Sequence, residues 1–146
     1  MRKLIRRMHS KYAFTLIELM IVVTIVAILA LIAIPLYTAN TVAAIMSEGV
    51  AGAGMMRSQM RVYLSQQGSY TGATYSASSN NISIGPTDLC GKYFKSSDYT
   101  LTVSSSSLYT ILAGPPTNTT RTGLPKYQIN QDGSETSGSG FYTTGM

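Results

Sequence analysis

Cysteine is almost missing from this sequence. Cys90 is the only one in 146 residues, so no disulfide can close within the chain. The thiol is expected as a small buried apolar side chain. Histidine is equally scarce. His9 is the only copy and falls in a basic stretch at the start, so nothing after it can build a Ser-His-Asp, Cys-His or histidine-metal constellation. Tryptophan is absent and charged residues make up only 12%. A phosphate-binding loop is lacking too, because the glycines between Gly49 and Gly54 have no Lys-Ser/Thr after them and lie in a helical pattern. These absences remove the common routes to catalysis. The chain is expected not to be an enzyme and to carry no cofactor.

Acid is lacking where base is concentrated. Arg2, Lys3, Arg6, Arg7 and Lys11 supply five of the eleven basic side chains, and residues 1–13 contain no acid. From Phe14 onward Arg57, Arg61, Lys92, Lys95, Arg121 and Lys126 face Glu18, Glu48, Asp88, Asp98, Asp132 and Glu135, six against six. The net charge of +5 therefore belongs to the leader and is no argument for nucleic-acid binding. It is better explained as a positive-inside signal that holds the N-terminus in the cytoplasm.

What the sequence does have is a long apolar run, Phe14 to Pro35, broken near its start by Glu18. At about 1.5 Å per helical residue it covers the roughly 30 Å hydrocarbon core of a bilayer. A charge inside such a segment is costly and calls for a partner. A secretory signal peptide has a shorter apolar core and a small-x-small cleavage site after it; none is convincing before Asn40. A lipoprotein signal needs a cysteine after the run, and Cys90 is too far away. A plain single-span anchor fits the hydropathy but gives Glu18 no role.

Ala13, the stretch Phe14-Thr15-Leu16-Ile17-Glu18-Leu19-Met20 and Pro35 together resemble the class III signal of type IV pilins and pseudopilins. The resemblance covers the first 35 or so residues. It implies cleavage by a prepilin peptidase between Ala13, where the family usually has glycine, and Phe14, followed by N-methylation of Phe14. It also implies a helical filament of many copies in which Glu18 pairs with the new α-ammonium group, and an assembly platform with ATPase motors. Burying an unpaired ammonium is expensive, so that pairing would also set axial register. Pro35 lacks an N–H and is expected to kink the helix. The chain would cross the cytoplasmic membrane once before assembly and then lie in an extracellular pilus.

Past Pro35, residues Ile45, Gly49, Gly52, Met56, Met60 and Tyr63 recur on one helical face, so the helix is expected to run on to Gln67 and stop at Gly68. The glycines at 49, 52 and 54 allow either close helix–sheet packing, the preferred reading, or a flexible joint. Met46, Met55, Met56 and Met60 are expected to fill the core. After an irregular stretch over 68–98, the alternation predicts strands at Tyr99–Val103, Leu108–Ala113 and Tyr127–Ile129. The tail from Ser134 has a flexible composition, with Phe141 and Tyr142 available to pin it. The fold class is thus α+β, a long N-terminal helix, first apolar and then amphipathic, packed on a small antiparallel sheet as in type IV pilins. The divisions are a removed leader over 1–13, a transmembrane and polymerisation helix over 14–36, an amphipathic half over 37–67 and a β-rich head over 68–146. Many pilins close a C-terminal loop with two cysteines; here other contacts must hold it.

The other signals are weak. Asp132 and Glu135 could offer oxygens to Ca²⁺, but two carboxylates fall short of a calcium signature and a solvated turn is preferred. Lys92, Tyr93 and Lys95 form the one basic, aromatic patch that could bind a ligand. Asn81 and Asn118 begin glycosylation-type triplets of the kind that recur by chance in Ser/Thr-rich sequence. The nine tyrosines after the leader are expected in cores and interfaces. The preferred function is a structural subunit of a type IV pilus-like filament supporting adhesion, motility or DNA uptake, although no spacing supports DNA as a partner. The alternatives are a type II secretion pseudopilin, disfavoured by the missing tryptophan and Pro-rich segment, and a minor pilin acting as a DNA- or surface-binding tip module.

Overall fold

The structure is a computed structural model that describes residues 14–76, 78, 80–85, 87–136 and 140–144. The leader, Ala13 included, lies outside the described residues. Helix α1 spans Leu16–Gln67, a 3-10 turn spans Ser96–Asp98, and strands β1, β2 and β3 span Tyr99–Val103, Tyr109–Ala113 and Tyr127–Asn130. The chain divides into two compact units, Met1–Ala39 and Asn40–Met146.

In the first unit the described residues are helix apart from its cap. Thr15 precedes the first helical turn and Glu18 lies within it, a T-x-x-E pattern that satisfies the N–H groups of Thr15 and Glu18 at the helix start. Every large apolar side chain between Phe14 and Tyr37 is more than half exposed. Pro35 sits inside α1, which continues beyond it as α-helix.

In the second unit, α1 buries Ile45, Met46, Gly49, Gly52, Ala53, Met56 and Met60, the face foreseen from the sequence. The helix ends at Gly68, whose φ of 71° and N–H donation to the Leu64 carbonyl (2.7 Å) make a left-handed C-terminal cap. β1, β2 and β3 pair antiparallel in that order, with Leu101 opposite Ile111 and Ile111 opposite Ile129. Alternation along β2 and β3 turns Tyr109, Ile111, Ala113, Tyr127 and Ile129 into the core. The rings of Tyr70 and Tyr109 meet edge to face, 4.7 Å apart.

The glycines fall into two classes. A Cβ on Gly49 would lie 2.6 Å from Phe94 Cζ, and one on Gly52 would collide with the Tyr99 hydroxyl, whereas nothing lies within 4 Å of one on Gly54. Close packing accounts for the first two and not for the third. The methionines also divide. Met46, Met56 and Met60 are fully buried, but Met55 is 45% exposed because its position points about 100° away from that of Met56.

Cys90 also departs from expectation: it is exposed, not buried, its N–H closing a turn on the Thr87 carbonyl (3.2 Å) beside the buried Leu89. In the described part of the tail, Phe141 and Tyr142 are both tied to the rest of the unit. Glu135 bridges to Ile129, Phe141 bridges to Lys126 in parallel, and the Tyr142 N–H donates to the Lys126 carbonyl (2.7 Å).

Candidate functional site

The apolar segment is built from uniform material. Leu, Ile, Val and Ala favour a continuous helix here because no solvating side chain competes for the backbone, and Thr24 and Thr38 return their hydroxyls to the carbonyls of Met20 and Pro35 (both 2.8 Å). The helix is long and apolar enough to cross a membrane. At its start the Thr15 N–H and hydroxyl both donate to Glu18 Oε2 (3.0 and 2.7 Å), and the Glu18 N–H donates to the Thr15 hydroxyl (3.3 Å). Glu18 thus caps the helix, a use of the carboxylate that the T-x-x-E pattern could have revealed. Phe14 is 76% exposed.

On the second unit the Lys92–Lys95 segment is ordered from below. Phe94 is fully buried against Gly49, while Lys92 and Lys95 are exposed. Lys92 lies 4.9 Å above the centre of the Tyr93 ring, a cation–π contact that covers one face of the ring. The Asn118 amide donates to the Lys92 carbonyl (2.8 Å), and Asn81 accepts from the Thr74 N–H and donates to the Gly72 carbonyl (both 2.7 Å). Both asparagines therefore brace loops.

Asp132 and Glu135 spend their oxygens separately. Asp132 accepts from the N–H and hydroxyl of Ser134, which hold its carboxyl below the usual range. Glu135 accepts from the Thr144 N–H (2.8 Å), the Thr144 hydroxyl (2.6 Å) and the Tyr127 hydroxyl (3.0 Å). The Thr144 hydroxyl is the main cause of its lowered pKa, against a smaller opposing effect of burial. Among the described residues no three His, Cys, Asp or Glu side chains group closely enough to hold a metal ion.

Residues 8–34 match the family described as the prokaryotic N-terminal methylation motif. The chain is 38% identical over 109 residues to a fimbrial protein of Neisseria meningitidis serogroup A, and 41% identical over 86 residues to the type IV major pilin protein PilE1 of Neisseria gonorrhoeae. The motif and these likenesses support a type IV pilin family for the chain. The matches cover 69% and 56% of the chain, which spans only 60% and 48% of the length of those two relatives. No solved structure matches it. Pilins of the family are structural proteins and not enzymes. The methylation motif takes in Ala13, Phe14 and Glu18 and stops one residue before Pro35.

Proposed function

We propose that this chain is the structural subunit of a type IV pilus-like filament. The observation that carries the reading is the uncovered helix. Leu31 and Tyr37 are 77% and 73% exposed, and among the described residues every large apolar side chain from Phe14 to Tyr37 is more than half exposed. Fully burying one Leu or Ile side chain is worth roughly 1.5–3 kcal/mol, so a segment of this kind gains its stability first in a membrane and then among other copies of itself. The precursor would sit in the cytoplasmic membrane as a single span with its basic leader inside. A prepilin peptidase would cut between Ala13 and Phe14, Phe14 would be N-methylated, and an assembly platform with its ATPases would stack the helices into an extracellular fibre. Glu18 would pair with the new ammonium group and fix register. Pro35 would relieve one rung of the helix and permit a kink. Adhesion, motility or DNA uptake would be tasks of the exposed head.

The test is the intact mass and first residue of the protein in sheared surface fibres. A chain beginning at methylated Phe14 is the expected result. Full-length protein found only in membranes, or a chain beginning near Asn40, would overturn the proposal.

A further inference from the structure

All six acidic side chains of this sequence accept a hydrogen bond from a backbone N–H: Glu18 from Thr15, Glu48 from Tyr93 and Phe94, Asp88 from Gly85, Asp98 from Lys95 and Thr117, Asp132 from Ser134, and Glu135 from Thr144. Three of them, all in the second unit, take donors from more than one place or from a distant segment. Glu48, on α1, receives the Tyr93 N–H on both oxygens (3.0 and 3.2 Å) and the Phe94 N–H on Oε1 (2.8 Å), across more than forty residues of sequence. Asp98, 7% exposed, receives the Lys95 N–H (2.9 Å) and both the N–H and hydroxyl of Thr117 (3.1 and 3.2 Å). Glu135 receives Thr144 twice and Tyr127 once.

These carboxylates hold amides that neither helix nor sheet pairs, in segments that other backbone bonds tie elsewhere, at Tyr93, Gly140 and Tyr142. The amides of Tyr93, Phe94 and Lys95 are consecutive, and all three point inward to a carboxylate. Gly91 is part of the same arrangement, since a Cβ there would run into the Glu48 carboxylate. The bonds depend on charge: a bond to an ionised acceptor is roughly twice as strong as a neutral one. A neutral acid also turns one acceptor oxygen into a donor.

The surroundings of each group are compatible with release. Glu48 looks onto Asp88, Cys90 and Tyr99 across a cavity of about 180 Å³ between α1 and the 88–91 loop. Burial first, and then the charges of Glu48 and Asp98, push the Tyr99 hydroxyl well above its ordinary pKa, so the tyrosine stays neutral beside them. Asp98 faces Lys95 and Thr117 through their backbones, with Tyr99 next to it. Glu135 faces Tyr127 and Thr144. Arg57 of α1 reaches the Gln131 carbonyl (3.4 Å) in the adjoining turn, and Asp132 lies in that turn.

We propose that the second unit is built to loosen in acid, protonation of Glu48, Asp98 and Glu135 freeing the amides of residues 93–95, 117 and 144 while the β1–β2–β3 ladder and α1 stay folded. The device does not require that the chain form fibres. It would give the exterior a reversible, pH-controlled change of surface in a protein whose single cysteine allows no intrachain disulfide.

The experiment is backbone amide exchange on the full chain in detergent micelles, at about pH 7 and about pH 3, expressed as protection relative to the intrinsic rate at each pH. The amides of Tyr93, Phe94, Lys95, Thr117 and Thr144 should lose roughly tenfold or more of their protection in acid, with the ladder amides retaining theirs. Unchanged protection at these five, or loss of protection in step with the ladder, would overturn the proposal. At about pH 7, Glu48→Gln should expose Tyr93 and Phe94 and leave Thr144 as in the wild type. Equal protection of Tyr93 and Phe94 in variant and wild type would count equally against it. Should the variant lose its ladder protection as well, the wild-type comparison alone decides.

Discussion

Three glycines within six residues of one helix should respond in opposite directions to the same substitution. A glycine inside a helix costs about 0.8–1 kcal/mol relative to alanine, because the free chain has more backbone freedom to lose. At Gly54 a methyl group would meet nothing within 4 Å, so Gly54→Ala should recover that cost and stabilise the second unit by about 0.5–1 kcal/mol. At Gly49 the methyl carbon would lie 2.6 Å from Phe94 Cζ, and Phe94 is fully buried with nowhere to swing. At Gly52 it would occupy the place of the Tyr99 hydroxyl, which donates to the Glu48 carbonyl at 3.5 Å, and Tyr99 is only 4% exposed. Overpacking of this kind costs typically 1–3 kcal/mol, at or above the helical gain, so Gly49→Ala and Gly52→Ala should both be net destabilising. For a unit of about a hundred residues, 1 kcal/mol moves the midpoint by about 4–8 °C. Thermal unfolding of the full chain in micelles, followed by tyrosine near-ultraviolet circular dichroism, reads the tertiary packing directly. A destabilised Gly54→Ala, or a Gly49→Ala as stable as wild type, would refute the claim that aromatic insertion selects these glycines.

Other outcomes follow from single contacts. Glu135 has a depressed folded-state pKa, so its contribution is present above the ordinary glutamate range near pH 4.3 and is lost as pH falls through the lower folded value. The stability advantage of wild type over Glu135→Gln should therefore shrink below about pH 4, and an advantage independent of pH would show that the carboxylate charge is not what holds Thr144. Tyr109→Phe removes a buried hydroxyl that has the Arg57 guanidinium nearby but makes no well-formed hydrogen bond among the described residues, so it should change stability by less than about 0.5 kcal/mol in denaturant titration. A loss several times larger would mean that the hydroxyl is engaged. Cys90 is exposed, so a maleimide should label it in the native chain without denaturant. Labelling only after unfolding would contradict its placement.

The sequence made the periodic parts of this protein legible and left the aperiodic parts obscure. The apolar run, the amphipathic stripe from Ile45 to Tyr63 and the alternation in Tyr99–Val103 each repeat with the spacing of the element they form, so the helix end and the strands could be placed nearly to the residue. The 68–98 stretch has no period, yet it buries Tyr70, Ala73, Tyr75, Ile82, Ile84, Leu89 and Phe94. Its apolar residues pack one at a time between turns, and neither composition nor spacing distinguishes that from an exposed loop. Cys90 was misplaced for the same reason, because the direction of a turn residue depends on which carbonyl its amide finds. The roles of Glu48 and Asp98 were equally hidden. The donors to Glu48 and the Thr117 donors to Asp98 lie far off in sequence, whereas the Thr15–Glu18 and Lys95–Asp98 contacts span three residues and follow a recognisable capping pattern.

That capping pattern bears on how Glu18 can serve in assembly. In the described residues both donations from Thr15 fall on Oε2, so the cap leaves the second oxygen and the full negative charge available. Capping and charge pairing are therefore compatible, and one substitution separates them. Glutamine serves at the third helical position of a capping box almost as well as glutamate, so Glu18→Gln should leave the helix start intact in micelles, whereas losing a cap altogether costs about 0.5–2 kcal/mol. What glutamine lacks is the charge. An ammonium group buried among apolar helices without its counter-charge costs about 3–5 kcal/mol, roughly two to four powers of ten in subunit addition. Glu18→Gln should thus insert, be processed and show normal helicity, yet yield few or no fibres. Fibres at the wild-type level from this variant would mean that residue 18 acts through its hydrogen bonds to Thr15 alone, and register would have to be sought in the packing of the apolar faces.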